Sequence, residues 1–142
     1  GTAVVIANGS RPGVIHAILD GEEVGTLFLP SRERLAGRKR WIAFYRSPAG
    51  RIRVDAGAAR AIVDGGRSLL PIGVVAVEGD FDVGDVVRIV DPGDREIARG
   101  LVNYAEQDVR RILGCPSHEI EKRLGHKHYD EVVHRDNLVV SR

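Results

Sequence analysis

Gly9-Ser10-Arg11-Pro12-Gly13 has the parts of an anion cradle: glycines, a hydroxyl, an arginine and an expected helix start. Backbone N–H groups at a helix start suit phosphate. Phosphoryl transfer asks for more, a metal-holding carboxylate and a cation over the transferred group. No G-x-x-x-x-G-K-[ST] and no G-x-G-x-x-G occurs in the 142 residues. The stretch therefore reads as a tight strand-to-helix turn. Cys115, His118, His126, His128 and His134 form a second set. Zinc takes four ligands, or three with an open position. Cys115-Pro116-Ser117-His118 offers one usable spacing and His126-Lys127-His128 another, but there is one cysteine and no supporting motif. Surface histidines are the better reading. His134 and Asp136 could mimic part of a catalytic dyad, yet no nucleophile motif accompanies them. His134-Arg135-Asp136-Asn137 reads as a turn or an interface segment.

The elements that must position these residues belong to one ordinary domain, or to a small domain plus a piece of another. Net charge is +1, which gives no general argument for a nucleic acid or a membrane. The charge is uneven. Arg32, Arg34, Arg38, Lys39, Arg40, Arg46, Arg51 and Arg53 crowd one segment; Glu78, Asp80, Asp82, Asp85, Asp91, Asp94 and Glu96 crowd a later one. They are expected to form two solvated surfaces facing each other across a domain or subunit contact. With Cys115 alone, no intrachain disulfide can form, which fits a reducing cytoplasm. No apolar run approaches a membrane span, and Gly1 to Ala7 lacks the charged start of a signal peptide. Asn8-Gly9-Ser10 matches a sequon and is read as a turn.

Val4 to Ala7 is uninterrupted and apolar, as in a buried parallel strand. A helix is predicted over Pro12–Leu19 and a short strand over Gly25–Leu29. Residues 1–30 thus have α/β grammar but are too short to bury a core alone. Residues 31–37 are polar; Arg38-Lys39-Arg40-Trp41-Ile42-Ala43-Phe44, basic then aromatic, is expected to dock on a neighbour. From Arg51 the pattern changes. Ile52 and Val54 alternate with charges as in a half-buried strand. Asp55 is a good N-cap for a helix that buries Ala58, Ala59, Ile62 and Val63 and stops at Gly65-Gly66. Strands are predicted at Val74–Val77, Val86–Val90 and Glu96–Tyr104, with Asp91-Pro92-Gly93-Asp94 as a turn in which glycine can take positive φ. Ala105, Val109, Ile112 and Leu113 share one helical face; Ser117 is expected to cap a helix over His118–Leu124; Val132-Val133 and Leu138–Val140 read as closing strands.

This order, with Ser68-Leu69-Leu70-Pro71-Ile72-Gly73-Val74, Gly79-Asp80-Phe81 and Gly84-Asp85-Val86-Val87, resembles the PUA domain, a small RNA-associated pseudo-β-barrel. Further blocks resemble the glutamate 5-kinase family: Ile6-Ala7-Asn8-Gly9 with Pro12-Gly13, Gly25-Thr26-Leu27-Phe28, Arg38-Lys39-Arg40-Trp41-Ile42, Ser68-Leu69-Leu70-Pro71, Asn103-Tyr104 and Val133-His134-Arg135-Asp136-Asn137. The resemblance implies a mainly β fold with short helices over residues 51–142, preceded by a docking segment over 31–50. Residues 1–30 would be a strand–helix–strand remnant of an α/β amino acid kinase domain. The family moves the γ-phosphate of ATP to L-glutamate with magnesium, the first step of proline synthesis. Its ATP and glutamate motifs would lie before Gly1, so no catalytic, cofactor or metal residue is expected in this chain. Partners implied are the kinase domain, a second copy and RNA. RNA-binding modules offer cations to phosphates and flat side chains to bases. Arg60, Gly65, Gly66, Arg67, Arg99 and Tyr104 are the contacts this resemblance suggests. The alternative is that the glycines close a barrel corner.

Overall fold

The computed structural model describes residues 3–29, 37–44 and 47–141, the side chains of Arg38 and Arg40 excepted. Arg32, Arg34 and Arg46, and most of the polar 31–37 stretch, lie outside the described residues. The chain divides into two compact units, residues 1–35 and 36–142.

In the first unit, β1 (Val4–Ile6) and β2 (Thr26–Phe28) flank α1 (Val14–Leu19). The expected buried parallel strand is corrected. β1 pairs antiparallel with β2, and Val4, Ile6, Leu27 and Phe28 are each more than half exposed. Apolar content shows what a strand could bury; only neighbouring elements bury it. The Asn8 turn is as expected: its side-chain oxygen accepts the Ser10 N–H at 3.0 Å, and its carbonyl accepts the Arg11 N–H at 3.1 Å.

The second unit opens with α2 (Gly37–Phe44), then β3 (Gly50–Val54), α3 (Ala56–Val63), β4 (Val74–Gly79), β5 (Val86–Val90), β6 (Glu96–Leu101), α4 (Glu106–Arg111), α5 (Ile120–Leu124) and β7 (Leu138–Val140). The strands form one sheet in the order β4-β3-β5-β6-β7. All neighbours are antiparallel except β3 and β5. This is the mainly β arrangement with short helices that the sequence predicts. Ile52, Val54, Ile62, Leu69, Val87, Ile89, Val109, Ile112 and Ile120 meet in one core, each 1% exposed or less. Such a side chain stabilises the fold by roughly 1.5–3 kcal/mol. α2 lies against β6, β7 and the 3₁₀ turn Arg135–Asn137, and Ile42 is fully buried.

Alternation along β3 places Ile52 and Val54 inside and turns Arg51 and Arg53 outward. Arg51 sits opposite Glu78 on β4 and bonds its carboxylate. Arg51 also donates to both Asp94 oxygens at 2.8 Å, and Arg53 to one of them at 3.0 Å. Arg51 and Arg53 of the basic segment thus meet Glu78 and Asp94 of the acidic one inside one sheet. The reason is register: β3 runs between β4 and β5, and the turn after β5 carries Asp94.

Other local expectations need correction. Positive φ in the β5–β6 turn falls on Asp94 (66°), not on Gly93; aspartate tolerates this region because its short side chain bonds locally. Val63 is 45% exposed and leaves the α3 core face to Ile62. Ser117 caps no helix; its hydroxyl donates to the Asp130 carbonyl at 3.0 Å. Val132-Val133 forms no strand, only a bridge from Val133 to Leu69.

Two stability measurements check these contacts. The Arg53 hydrogen bond, helped by the Arg51 charge and opposed by burial, holds the Asp94 carboxyl below its ordinary value. Stability from a depressed carboxyl is complete above its unfolded pKa and is lost as pH falls through the folded one. Asp94→Asn, which keeps the left-handed turn, should therefore lower the melting temperature at neutral pH. The gap to the wild type should hold down to about pH 4 and close below it. A gap that persists in strong acid would show that the charge is not what counts. Tyr104→Phe should cost about 1 kcal/mol in urea unfolding, since the Tyr104 hydroxyl donates to the Tyr129 carbonyl and accepts the Tyr129 N–H at 3.2 Å. An unchanged midpoint would exclude that clamp.

Candidate functional site

α3 ends in a corner that its caps define. Asp55 accepts the Ala58 N–H at 2.7 Å at the start of the helix. At its end Gly66 takes φ 56° and donates back to the Ile62 carbonyl at 3.2 Å, as a left-handed residue does when it stops a helix. Arg67 N–H then reaches the Ala61 carbonyl at 3.1 Å. A side chain at Gly65 would run into that same carbonyl. The glycines thus end the helix and turn the chain, while Arg67 projects exposed.

The next residue ties this corner to the far end of the chain. Ser68 Oγ accepts the Arg135 N–H at 3.0 Å. Leu69 N–H donates to the Val133 carbonyl at 2.8 Å, and Val132 N–H returns to the Leu69 carbonyl at 2.8 Å. Arg135 is thus the backbone donor of the Ser68 hydrogen bond, and Arg67 directly precedes its acceptor. Both are exposed, and neither guanidinium has a carboxylate partner among the described residues. His134 Nδ1 accepts the Asp136 N–H at 3.2 Å; a neutral ring doing so carries its proton on Nε2.

The suggested contacts separate into two groups. Arg60, Gly65, Gly66 and Arg67 share the exposed end of α3; Arg60 Nε reaches back to the Ala56 carbonyl at 3.3 Å. Arg99 lies on β6, against which α3 packs, but its Nε is engaged by Glu96 Oε1 at 2.8 Å. Burial pushes the Glu96 carboxyl up; the hydrogen bonds from Arg99 and Ser141 outweigh it, and the net direction is down. Tyr104 is corrected as a stacking contact. It is 2% exposed and sits in the core, where burial raises its pKa. Its ring has no face for a base. Among the described residues the exposed aromatics are Phe28, Trp41, Phe44 and Tyr129. Arg135 is not legible as a contact from the sequence, because its neighbour Ser68 is 67 positions away and no local pattern records that.

The remaining polar clusters are structural. Asp82 and Asp85 border a cavity of about 430 Å³ together with Glu106. Asp85 Oδ2 accepts the Asp82 N–H, Asp82 Oδ1 the Val83 N–H, and Glu106 pairs with Arg110. Cys115 is buried, and burial pushes its thiol up. Among the described residues no three His, Cys, Asp or Glu side chains are placed to hold a metal. Among them, too, no helix is long and apolar enough to cross a membrane. In the first unit Arg11 lies 3.9 Å from Glu22 in the turn before α1.

Comparison with known proteins gives three results. Over 140 residues the chain is 54% identical to the glutamate 5-kinase of Thermoanaerobacter sp. (strain X514), covering 99% of this chain and 38% of that protein. It is 56% identical to the glutamate 5-kinase of Moorella thermoacetica, covering 99% and 37%. The chain thus spans well under half the length of the curated relatives it matches. A crystal structure of a PUA domain from Aeropyrum pernix K1, in a tartrate complex, matches with a TM-score of 0.45 at 25% identity, covering 61% of this chain and 41% of that one. The PUA domain family model covers residues 50–124. It starts on the first residue of β3 and ends on the last of α5, taking in the capped helix, the glycine corner and the ion-paired hairpin. With more than half of its 142 residues in that match, the chain belongs to the PUA domain family.

Proposed function

We propose that this chain is the PUA-containing part of a glutamate 5-kinase, which moves the γ-phosphate of ATP, with magnesium, to the side-chain carboxylate of L-glutamate and so opens proline synthesis. The carrying observation is identity of 54% along 99% of the chain. On this reading the part itself is non-catalytic. Residues 1–30 are the closing elements of the kinase domain, and the nucleotide and amino-acid sites lie in the portion of the enzyme outside this chain. The exposed apolar faces of β1 and β2 support that assignment, since strands of this composition belong in a larger sheet.

A second reading, RNA binding through the PUA module, is favoured by one observation. The Arg135 N–H bonds Ser68, the residue after Arg67, so two exposed arginines without carboxylate partners among the described residues are tied to one corner. Together with Arg60, Gly65 and Gly66 they offer exposed cations at a backbone corner, a surface suited to phosphates.

Trapping of γ-glutamyl phosphate as its hydroxamate tests the first reading. The full-length enzyme should give glutamate-dependent product and the 142-residue chain only background. Turnover by the chain alone would overturn its non-catalytic assignment; a full-length protein inert towards glutamate would overturn the kinase reading. For the second reading, binding of the chain to structured RNA is titrated with salt. Affinity should fall as salt rises, and Arg67→Glu or Arg135→Glu should flatten the log–log slope by about 0.7–0.9 per lost phosphate contact. No binding at low salt removes the RNA reading.

A further inference from the structure

Tyr104 is buried, yet its hydroxyl serves a second tyrosine. It donates to the Tyr129 carbonyl and accepts the Tyr129 N–H at 3.2 Å. Both bonds go to the backbone, so the clamp asks nothing of the Tyr129 ring, and that ring is 50% exposed. It lies in Gly125-His126-Lys127-His128-Tyr129-Asp130-Glu131, a run without an aliphatic side chain. Residues 125–130 are all exposed. The His126 and His128 rings lie 5.4 Å apart, centroid to centroid. The carboxylates nearby have cations of their own: Asp130 pairs with Lys127, and Asp108 lies 3.8 Å from Arg111 and 3.7 Å from His126. The run thus presents three flat side chains on a backbone that a buried hydroxyl holds in place.

This setting favours one class of ligand. The buried centre of a protein–protein contact is apolar, and the run offers Tyr129 no aliphatic neighbour to share one. A ring among imidazoles suits the π-face of an unpaired base. Because the backbone under the ring is already ordered, little freedom is lost on binding. The run also leads into the arginine corner. Val132 N–H donates to the Leu69 carbonyl at 2.8 Å, and Arg135 N–H to Ser68 Oγ at 3.0 Å. The chain from Tyr129 to Arg135 spans at most about 20 Å. We propose that the Tyr129 ring is the stacking platform for an unpaired base of RNA whose phosphates lie at Arg67 and Arg135. This rests on the RNA reading above and adds to it the group that meets a base, the role Tyr104 is too buried to fill.

The 142-residue chain is titrated with three RNAs: a hairpin with a single-stranded adenosine tail, the same hairpin with the tail made abasic, and the hairpin without a tail. Tyr129→Ala should weaken binding of the adenosine-tailed RNA by roughly five- to a hundredfold, and Tyr129→Phe should retain it. The salt slope should stay as in the wild type, because the ring meets a base and no phosphate. The abasic and tailless RNAs should bind the wild type and Tyr129→Ala equally, which also shows that the variant is folded. In the wild type, a fluorescent purine analogue in the tail should be quenched on binding. Unchanged affinity of Tyr129→Ala for the adenosine tail overturns the proposal and leaves the ring to a protein partner. A loss just as large with the abasic tail, or an unquenched analogue, overturns it too. Binding that responds to Arg67→Glu and not to Tyr129→Ala sinks the platform alone. Absence of binding to all three RNAs at low salt sinks the RNA reading, and the platform with it.

Discussion

The register of β3 between β4 and β5 constrains both faces of the sheet at once. Because side chains alternate, Ile52 and Val54 can enter the core only if Arg51 and Arg53 point out. A slip of one residue would bury two guanidinium groups, which is far costlier than any gain from the pairing itself. In the observed register Arg51 meets Glu78, and both arginines reach Asp94 at the tip of the next hairpin. These pairs are open to solvent, so their energy is modest. Their value is that they exist only in this register.

The segments after β3 inherit that placement. Val54 leaves the strand into Asp55, whose N–H donates to the Gly73 carbonyl at 3.0 Å while its side chain caps α3. The helix is thereby anchored at its start, and Gly66 turns the chain at its end. Leu69 then bridges to Val133, and Ser68 to Arg135. Gly100 makes room for this closure, since a Cβ there would overlap Val133. The backbone that carries the exposed cations at the corner is thus fixed by hydrogen bonds. The same closure withdraws Tyr104 from the surface and commits its hydroxyl to Tyr129.

The two units answer different questions. The second has its own core and carries the PUA family match. The first exposes much of its apolar surface, Leu19 and Phe28 included, and α2 adds Trp41 and Phe44 to that exposure. Large apolar surface of this kind marks sites of contact.

Local physics determined much of the second unit in advance. Alternation at Ile52 and Val54, the Asp55 cap, the glycine stop and the β-branched run Val86–Val90 each act within a few residues, and each element formed where its pattern lies. The family blocks were legible for the same reason, as words in order. Tertiary structure alone decided which charges neutralise one another, because Arg51 and Asp94 are 43 residues apart and meet only through strand order. It alone decided that Tyr104 is inside and Trp41 outside, although both are aromatic and both stand beside polar neighbours. Composition sets what a side chain would gain by burial; only the packing of distant segments determines which ones are covered.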